Sequence, residues 1–229
     1  MFHPSLVKTT KPQHFYTAGN YSYHMVDKAT NSKLKILSLY NSNYLAQYHT
    51  REMAKLIKKN HVTILPHLSA LEKDKIFITK TIGKNKVYTL NLDNNLTKNY
   101  LIISELVEAI LFQEQVFLIK KITTEISKLN LSGSFVLFGS YAKRTFKEDS
   151  DLDLFYLGEL KEAEITKIKA MGKTYGKTIN LKTSTSENFE NGLIKKDALI
   201  MEILKYHLIL HNSDLFINAL WRYYHEIRG

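Results

Sequence analysis

Residues 138–155 read FGSYAKRTFKEDSDLDLF, and this stretch decides the fold of the C-terminal half of the chain. Two aspartates, Asp151 and Asp153, lie in an otherwise apolar run whose composition predicts a buried strand. Alternate side chains of a strand point to opposite faces, so both carboxylates share one face and the intervening leucine points into the core. Two carboxylates this close repel each other unless a cation lies between them. The pattern therefore predicts a site for a divalent ion that prefers oxygen ligands, such as Mg²⁺ or Mn²⁺.

A Gly-Ser pair precedes the two aspartates. Gly139 and Ser140 follow the β-rich run SFVLF, and ten residues separate them from Asp151. Glycine lets the backbone approach an anion closely, and the amides at the start of a helix point toward it. The order strand, Gly-Ser, helix start, loop and strand is therefore typical of a phosphate site. It predicts phosphate-binding amides and metal-binding carboxylates side by side on one sheet.

This motif consists of Gly-Ser, a spacer of ten residues and Asp-x-Asp, within the segments VLFGSYAKRT and SDLDL. It resembles the motif of the polymerase-β-like nucleotidyltransferase superfamily. The resemblance covers residues 131–189 and is closest to the minimal nucleotidyltransferases. It implies transfer of a nucleoside monophosphate, from ATP or another nucleoside triphosphate, to a hydroxyl group with release of pyrophosphate. It also implies that Asp151 and Asp153 are catalytic residues that hold the metal ion, which bridges the triphosphate.

The same resemblance implies a set of nucleotide-binding residues. Gly139 and Ser140 would bind the terminal phosphates. Lys143 and Arg144 follow at the start of a helix, where they either add positive charge to this site or are ordinary exposed basic residues.

One position departs from the pattern of the superfamily. A third acid is expected on the strand after Asp-x-Asp, and the segment TINL, residues 178–181, has Asn180 in its place. That acid normally helps to hold a second metal ion and accepts the proton of the attacking hydroxyl. Asparagine can bind a metal through its carbonyl oxygen but is not a base. We therefore expect Asn180 in the site of an enzyme that is slow, that uses substrate or water as the base, or that only binds nucleotide.

The net charge of +10 is concentrated in one third of the chain. Residues 31–100 carry twelve Lys or Arg against four acids, which gives +8, whereas residues 101–229 carry seventeen of each. A basic segment followed by a neutral segment indicates two modules, one of which binds a polyanion.

The basic segment shows helical periodicity around KLKILSLY, TREMAKLIKKN and TILPHLSALEKDK, with Thr50 as the expected N-cap of the second helix and a break at His61 and Val62. Two extended runs then flank Gly83, a hairpin signal. This order resembles winged helix-turn-helix domains, although such domains also serve as protein-docking modules. The resemblance implies that duplex DNA is contacted by Thr63, His67, Ser69 and Lys73 on one helix and by Lys80, Lys84 and Lys86 on the wing.

The resulting fold class is α+β. We predict an N-terminal arm at 1–30, a winged helix-turn-helix domain at 31–97, a long connecting helix at 98–130, and a nucleotidyltransferase domain at 131–229 with a mixed sheet flanked by helices. A pair of helices is expected over residues 197–221. His207 and His211 lie four residues apart in it, and we interpret them as helix-surface or packing residues because no third metal ligand is near in sequence.

Composition excludes several function classes. The chain has no cysteine, hence no disulfide or thiolate metal site, and its first residues lack the apolar segment of a signal peptide. Its most apolar window, residues 100–119, contains three glutamates, which argues against a membrane span. We expect a cytoplasmic protein and leave a homodimer open. The alternatives to an active enzyme are a DNA-binding transcriptional regulator with a degenerate nucleotide-sensing domain, and an antitoxin that modifies a HEPN-type partner toxin.

Overall fold

The computed structural model describes residues 28–228, with side chains from residue 32 onward. The predicted arm at 1–30 lies outside the described residues except for its last three, which begin the first helix. The N-terminal elements are α1 (Lys28–Leu37), a 3-10 turn (Ser38–Tyr40), β1 (Tyr48–His49), α2 (Thr50–Leu56), α3 (His61–Lys73), β2 (Phe77–Ile82) and β3 (Asn85–Leu90). The three helices and the hairpin predicted from periodicity are therefore present.

Two helix starts differ from the prediction. Thr50 is the first residue of α2 rather than its cap, because His49 is extended and its Nδ1 accepts a hydrogen bond from the amide of Glu52 at 3.2 Å. The predicted break at residues 61–62 is the first turn of α3, capped by Asn60, whose Oδ1 accepts from the amide of Val62 at 2.9 Å. In each case the capping side chain satisfies one of the free backbone amides at the start of the helix.

The hairpin belongs to a three-stranded antiparallel sheet in the order β1-β3-β2. Ile82 pairs with Asn85, and Gly83 makes the turn between them with φ +60. Positive φ is inexpensive for glycine, which explains why the turn occurs here. One face of α3 packs beneath this sheet through Ile64, Leu68 and Leu71, all fully buried.

The connecting segment forms two helices instead of the single predicted one. They are α4 (Asn95–Gln115) and α5 (Phe117–Ser127). Val116 between them is extended, with φ −123 and ψ 92. The break has a physical reason, because it redirects the chain so that Ile119, Ile122 and Ile126 of α5 pack on the C-terminal sheet.

The C-terminal region has a four-stranded mixed sheet in the order β6-β5-β4-β7, in which only β5 and β6 are parallel. This confirms the α+β class and the mixed sheet flanked by helices. The elements are β4 (Ser134–Phe138), α6 (Gly139–Ala142), β5 (Leu152–Leu157), α7 (Glu162–Thr174), β6 (Ile179–Ser184), α8 (Ser186–Ile194), α9 (Ala198–Lys205), β7 (Leu208–His211) and α10 (Ser213–Ile227).

The predicted helix pair at 197–221 is wrong in its middle, where β7 separates α9 from α10. The run LILH is apolar and too short to reveal its type by periodicity, and pairing with β4 makes it a buried strand. His207 precedes this strand and His211 is its last residue, and their rings have different partners. The ring of His207 is buried against Glu105, and Nε2 of His211 lies 3.2 Å from the carbonyl oxygen of Leu131.

Both faces of the C-terminal sheet are covered. Phe135 and Leu137 of β4 point toward α5 and α7, while Val136 points into a second cluster that includes Phe216 of α10 and continues to Ile36 of α1. The N-terminal and C-terminal regions therefore share one continuous hydrophobic core. Among the helices described, none is long and apolar enough to cross a membrane.

Candidate active site

Strand register brings the distant parts of the site into one row. Phe138, the last residue of β4, pairs with Asp153 of β5, and Asp153 pairs with Asn180 of β6. Gly139 follows Phe138 directly, so it also reaches this end of the sheet. The row crosses three neighbouring strands. It brings Asp153 and Asn180 together although they are 27 positions apart in sequence.

The amide of Asn180 lies between the two carboxylates. Its Nδ2 donates a hydrogen bond to Oδ1 of Asp153 at 3.1 Å and lies 3.5 Å from Oδ2 of Asp151, the outer limit of a hydrogen bond. Asp151 and Asn180 are exposed and Asp153 is half-buried, so the cluster opens to solvent. A donor placed between two carboxylates offsets part of their mutual repulsion.

Gly139 makes room for Asp153. A Cβ atom built on Gly139 would collide with the carboxylate of Asp153, and the residue has φ +66. Both the close approach and the positive φ require glycine here. The sequence motif thus has a steric basis, since the glycine backbone packs directly against the second aspartate.

The other predicted nucleotide-binding residues lie in different surroundings. Ser140 is half-buried, and its carbonyl oxygen accepts from the amide of Thr145 at 3.0 Å. Lys143 Nζ lies 2.6 Å from Oε1 of Glu202, and this hydrogen bond raises the pKa of Lys143, with a smaller contribution from the charge of Asp153.

Arg144 does not share the surroundings of Lys143. Its guanidinium carbon lies 3.9 Å from the ring centroid of Phe112, and burial lowers its pKa, against the charge of Glu108. Arg144 and Glu108 line a cavity of about 250 Å³ that also borders Asn41 and Tyr206. The structure thus brings Lys143 into electrostatic range of the aspartates and holds Arg144 against α4.

Lys177 is a residue of the site that sequence reasoning missed. Its Nζ donates to the carbonyl oxygens of Glu148 and Ser150, the latter at 3.3 Å. These bonds tie the loop before Asp151 to the turn before β6. No local signal pointed to Lys177, because its partners are 27 and 29 positions away.

The donor set fits a hard divalent cation. Asp151 and Asp153 offer carboxylate oxygens, which Mg²⁺ and Mn²⁺ prefer, whereas Asn180 turns its Nδ2 toward them and would offer its carbonyl oxygen only after the amide rotates. Mg²⁺ commonly retains water and substrate phosphates as further ligands. Within residues 28–228, no group of three or more His, Cys, Asp or Glu side chains could hold a metal ion. A two-carboxylate site that needs the substrate to complete it is consistent with both observations.

The predicted nucleic-acid residues lie on the outer surface of the N-terminal region. Thr63, Ser69, Lys73, Lys80 and Lys84 are exposed. His67 is half-buried on the flank of α3. Lys86 is partly neutralised, because its Nζ lies 2.6 Å from Oε1 of Glu72, which lowers the pKa of Glu72 and raises that of Lys86.

A basic groove of about 570 Å³ lies where α2, α3 and the hairpin tip meet. The residues that line it are His49, Thr50, Arg51, His61, Leu65, Lys84, Asn85 and Lys86. Arg51, His49 and His61 were not among the predicted contacts, since only the fold brings the start of α2 beside the hairpin tip.

Comparison with known proteins agrees with the interpretation of the C-terminal region as a nucleotidyltransferase domain. Residues 119–218 match the family model of the nucleotidyltransferase domain. The match runs from α5 into α10 and contains the whole row of Gly139, Asp153 and Asn180, and it supports the polymerase-β-like superfamily for this region. Neither a search of curated proteins nor a search of solved structures found a match.

Proposed function

We propose that the protein is a divalent-metal-dependent nucleotidyltransferase that moves a nucleoside monophosphate, AMP from ATP, onto a hydroxyl acceptor. The family match supports nucleotidyl transfer in general. The observation that carries the finer proposal is the cluster of Asp151, Asp153 and Asn180 beside Gly139.

Each residue has a role in this proposal. Asp151 and Asp153 would hold the metal ion, and a half-turn of the Asn180 amide would present its Oδ1 as a further ligand. A bound ion would neutralise charge on the triphosphate. The backbone of Gly139 and Ser140 would bind the terminal phosphates, and Lys143 would leave Glu202 to neutralise a phosphate oxygen.

The proposed reaction lacks an obvious base to accept the proton of the acceptor hydroxyl. Asn180 cannot take it, because an amide is not a base at physiological pH. The proton would therefore pass to solvent or to a group of the substrate, and we expect slow turnover. The same residue favours a second candidate function, a regulator whose C-terminal domain senses nucleotide without transferring it.

We further propose that residues 31–97 form a winged helix that binds duplex DNA through phosphates. The order α2, α3 and hairpin, the charge of +8 over residues 31–100 and the basic groove support this. An antitoxin that modifies a HEPN-type toxin would combine both activities, with the toxin as acceptor. In that case the acceptor hydroxyl belongs to a protein.

The deciding experiment measures label transfer. The full chain is incubated with each α-³²P-labelled nucleoside triphosphate, Mg²⁺ and candidate acceptors: duplex DNA, RNA, and a purified HEPN-type protein. We expect Mg²⁺-dependent labelling of an acceptor, lost in the Asp151→Asn/Asp153→Asn double variant and retained in Asp214→Asn, an exposed aspartate on α10. Mg²⁺-dependent nucleotide binding without any transfer would favour the regulator.

A further inference from the structure

Helix α4 carries large apolar side chains on its outward face as well as on its inward face, where Leu101, Ala109 and Phe112 are buried. The residues it buries include Thr97, Ser104 and Glu105. Its outward face carries large apolar side chains with the following exposed fractions: Leu96 44%, Ile103 45%, Leu106 42% and Ile110 53%. A surface helix of a monomeric domain normally carries polar residues on its outward face. The outward face therefore has the composition of an interface.

The exposed apolar residues follow a heptad spacing. Leu96, Ile103, Leu106 and Ile110 are separated by seven, three and four positions, all within α4. Spacings of three and four in alternation form the seam of paired helices. We call the exposed residues Leu96, Asn99, Ile103, Leu106, Ile110 and Glu114 the α4 stripe.

The α4 stripe is symmetric about its centre near Leu106. The apolar residues on either side of the centre are Ile103 and Ile110. Its two polar members, Asn99 and Glu114, are both exposed and lie at equal distances from the midpoint. The part of the stripe from Asn99 to Glu114 is therefore self-complementary under a two-fold rotation, which is what an isologous dimer requires.

We propose that a second copy of this chain docks on the α4 stripe, with the two α4 helices antiparallel and the two-fold axis close to Leu106. Leu106 then lies near its own copy, Ile103 faces the Ile110 end of the partner helix, and the Asn99 amide meets a carboxylate. A parallel pairing would instead place Glu114 beside Glu114, which like-charge repulsion disfavours.

The charge distribution permits this self-association. Residues 101–229 carry equal numbers of acidic and basic residues, and the excess positive charge lies in residues 31–100. Glu114 is the one charged member of the stripe, so pairing buries apolar side chains without an unpaired cluster of like charge. The dimer does not depend on nucleotidyl transfer. It would present two basic modules related by a two-fold axis, as palindromic DNA sites require.

The first test is the mass of the purified full chain by light scattering after size-exclusion chromatography. We expect twice the monomer mass of 26.6 kDa at tens of micromolar. Leu106→Glu places two carboxylates at the axis, so the dissociation constant should rise about a hundredfold or more. Ile227→Glu is the matched control, because Ile227 is 46% exposed on α10 and should leave the dimer intact. Circular dichroism verifies that both variants are folded.

The second test fixes the orientation and uses the absence of native cysteine. Leu106→Cys should form an intermolecular disulfide under mild oxidation, whereas Asn99→Cys alone and Ile227→Cys should not. A mixture of Asn99→Cys and Glu114→Cys chains should cross-link. Three outcomes would each overturn the proposal: a monomer at all concentrations, a dimer that Leu106→Glu leaves intact, or self-cross-linking of Asn99→Cys. A monomer at all concentrations would mean that another protein, or residues outside 28–228, cover the stripe.

Discussion

Nδ2 of Asn180 donates a hydrogen bond to Oδ1 of Asp153 at 3.1 Å, across the parallel strands β6 and β5. The amide replaces a carboxylate at a position where an acid would complete a three-carboxylate site. It offsets repulsion between Asp151 and Asp153 when no metal is bound, and it removes the expected proton acceptor. In the proposed enzyme, the stability of the metal-free carboxylate pair and the rate of transfer would therefore place opposite demands on this residue.

Replacing Asn180 with aspartate should reverse both effects. We expect Asn180→Asp to raise the rate of nucleotidyl transfer on the order of a hundredfold, the usual contribution of general-base catalysis, and to tighten Mg²⁺ binding. Single-turnover label transfer and Mg²⁺ titration measure the two effects, with Asn95→Asp at the distant start of α4 as control. Tighter metal binding without faster transfer would favour a nucleotide sensor, and no change in either would exclude Asn180 from the site.

The two aspartates should be needed for metal and dispensable for folding. Asp151→Asn/Asp153→Asn should abolish Mg²⁺-dependent nucleotide binding in calorimetry. The melting temperature should stay equal or rise, because a carboxylate repulsion is removed. Unchanged nucleotide binding with Mg²⁺ would show that the metal site is elsewhere.

Gly139→Ala should destabilise the protein by about 1–3 kcal/mol and displace the carboxylate of Asp153, since the new methyl group collides with it. Gly176 provides a matched control. It has φ +64, close to the +66 of Gly139, but a Cβ there would meet nothing within 4 Å. Gly176→Ala therefore measures the backbone strain alone, and urea unfolding of both variants isolates the collision. Equal losses would argue against the steric contact.

His207 should make stability depend on pH. Its ring is buried, which alone lowers its pKa, but the charge and 3.0 Å hydrogen bond of Glu105 outweigh burial and raise the pKa above 6.5. A raised pKa contributes stability that is fully present below about pH 6.5 and is lost as pH rises through the folded-state pKa. Denaturant unfolding between pH 6 and pH 9 should show this decline.

Removing the charge of Glu105 tests the cause of that decline. Glu105→Gln should destabilise the protein most at low pH and flatten the fall above pH 6.5. Glu125→Gln, in an exposed pair with Lys128, should leave the pH profile unchanged. A profile that stays the same in Glu105→Gln would assign the pH dependence to another group.

Duplex DNA binding by the full chain should weaken steeply with salt, with a logarithmic slope of about 0.9 per neutralised phosphate. Lys80→Ala and Lys84→Ala should each reduce this slope by about one. Lys86→Ala should reduce it less, because Lys86 already pairs with Glu72. Filter binding across a salt series gives the slopes, and Lys167→Ala on α7 is the control. Identical slopes for all four variants would favour the protein-docking alternative.

The sequence by itself determined the features that depend on neighbouring residues. Strand alternation predicted that Asp151 and Asp153 share a face, and the Gly-Ser pair predicted the start of a helix after β4. Helical periodicity located α2 and α3, and Gly83 located the hairpin. Each of these follows from backbone geometry over a few residues, so each could be predicted locally. The resemblance to the superfamily added Asn180, which no local pattern singles out.

Tertiary structure decided what depends on long-range contacts. The run LILH became β7 because β4 offers an edge to pair with, and the chain breaks at Val116 because α5 must cover the sheet. Lys177 gained its loop partners, and His207 gained Glu105 across 102 positions, only when the chain had folded. Apolar residues encircle α4, so periodicity alone could not distinguish its buried face from its exposed one; packing against α1 and α10 left Leu106 outside.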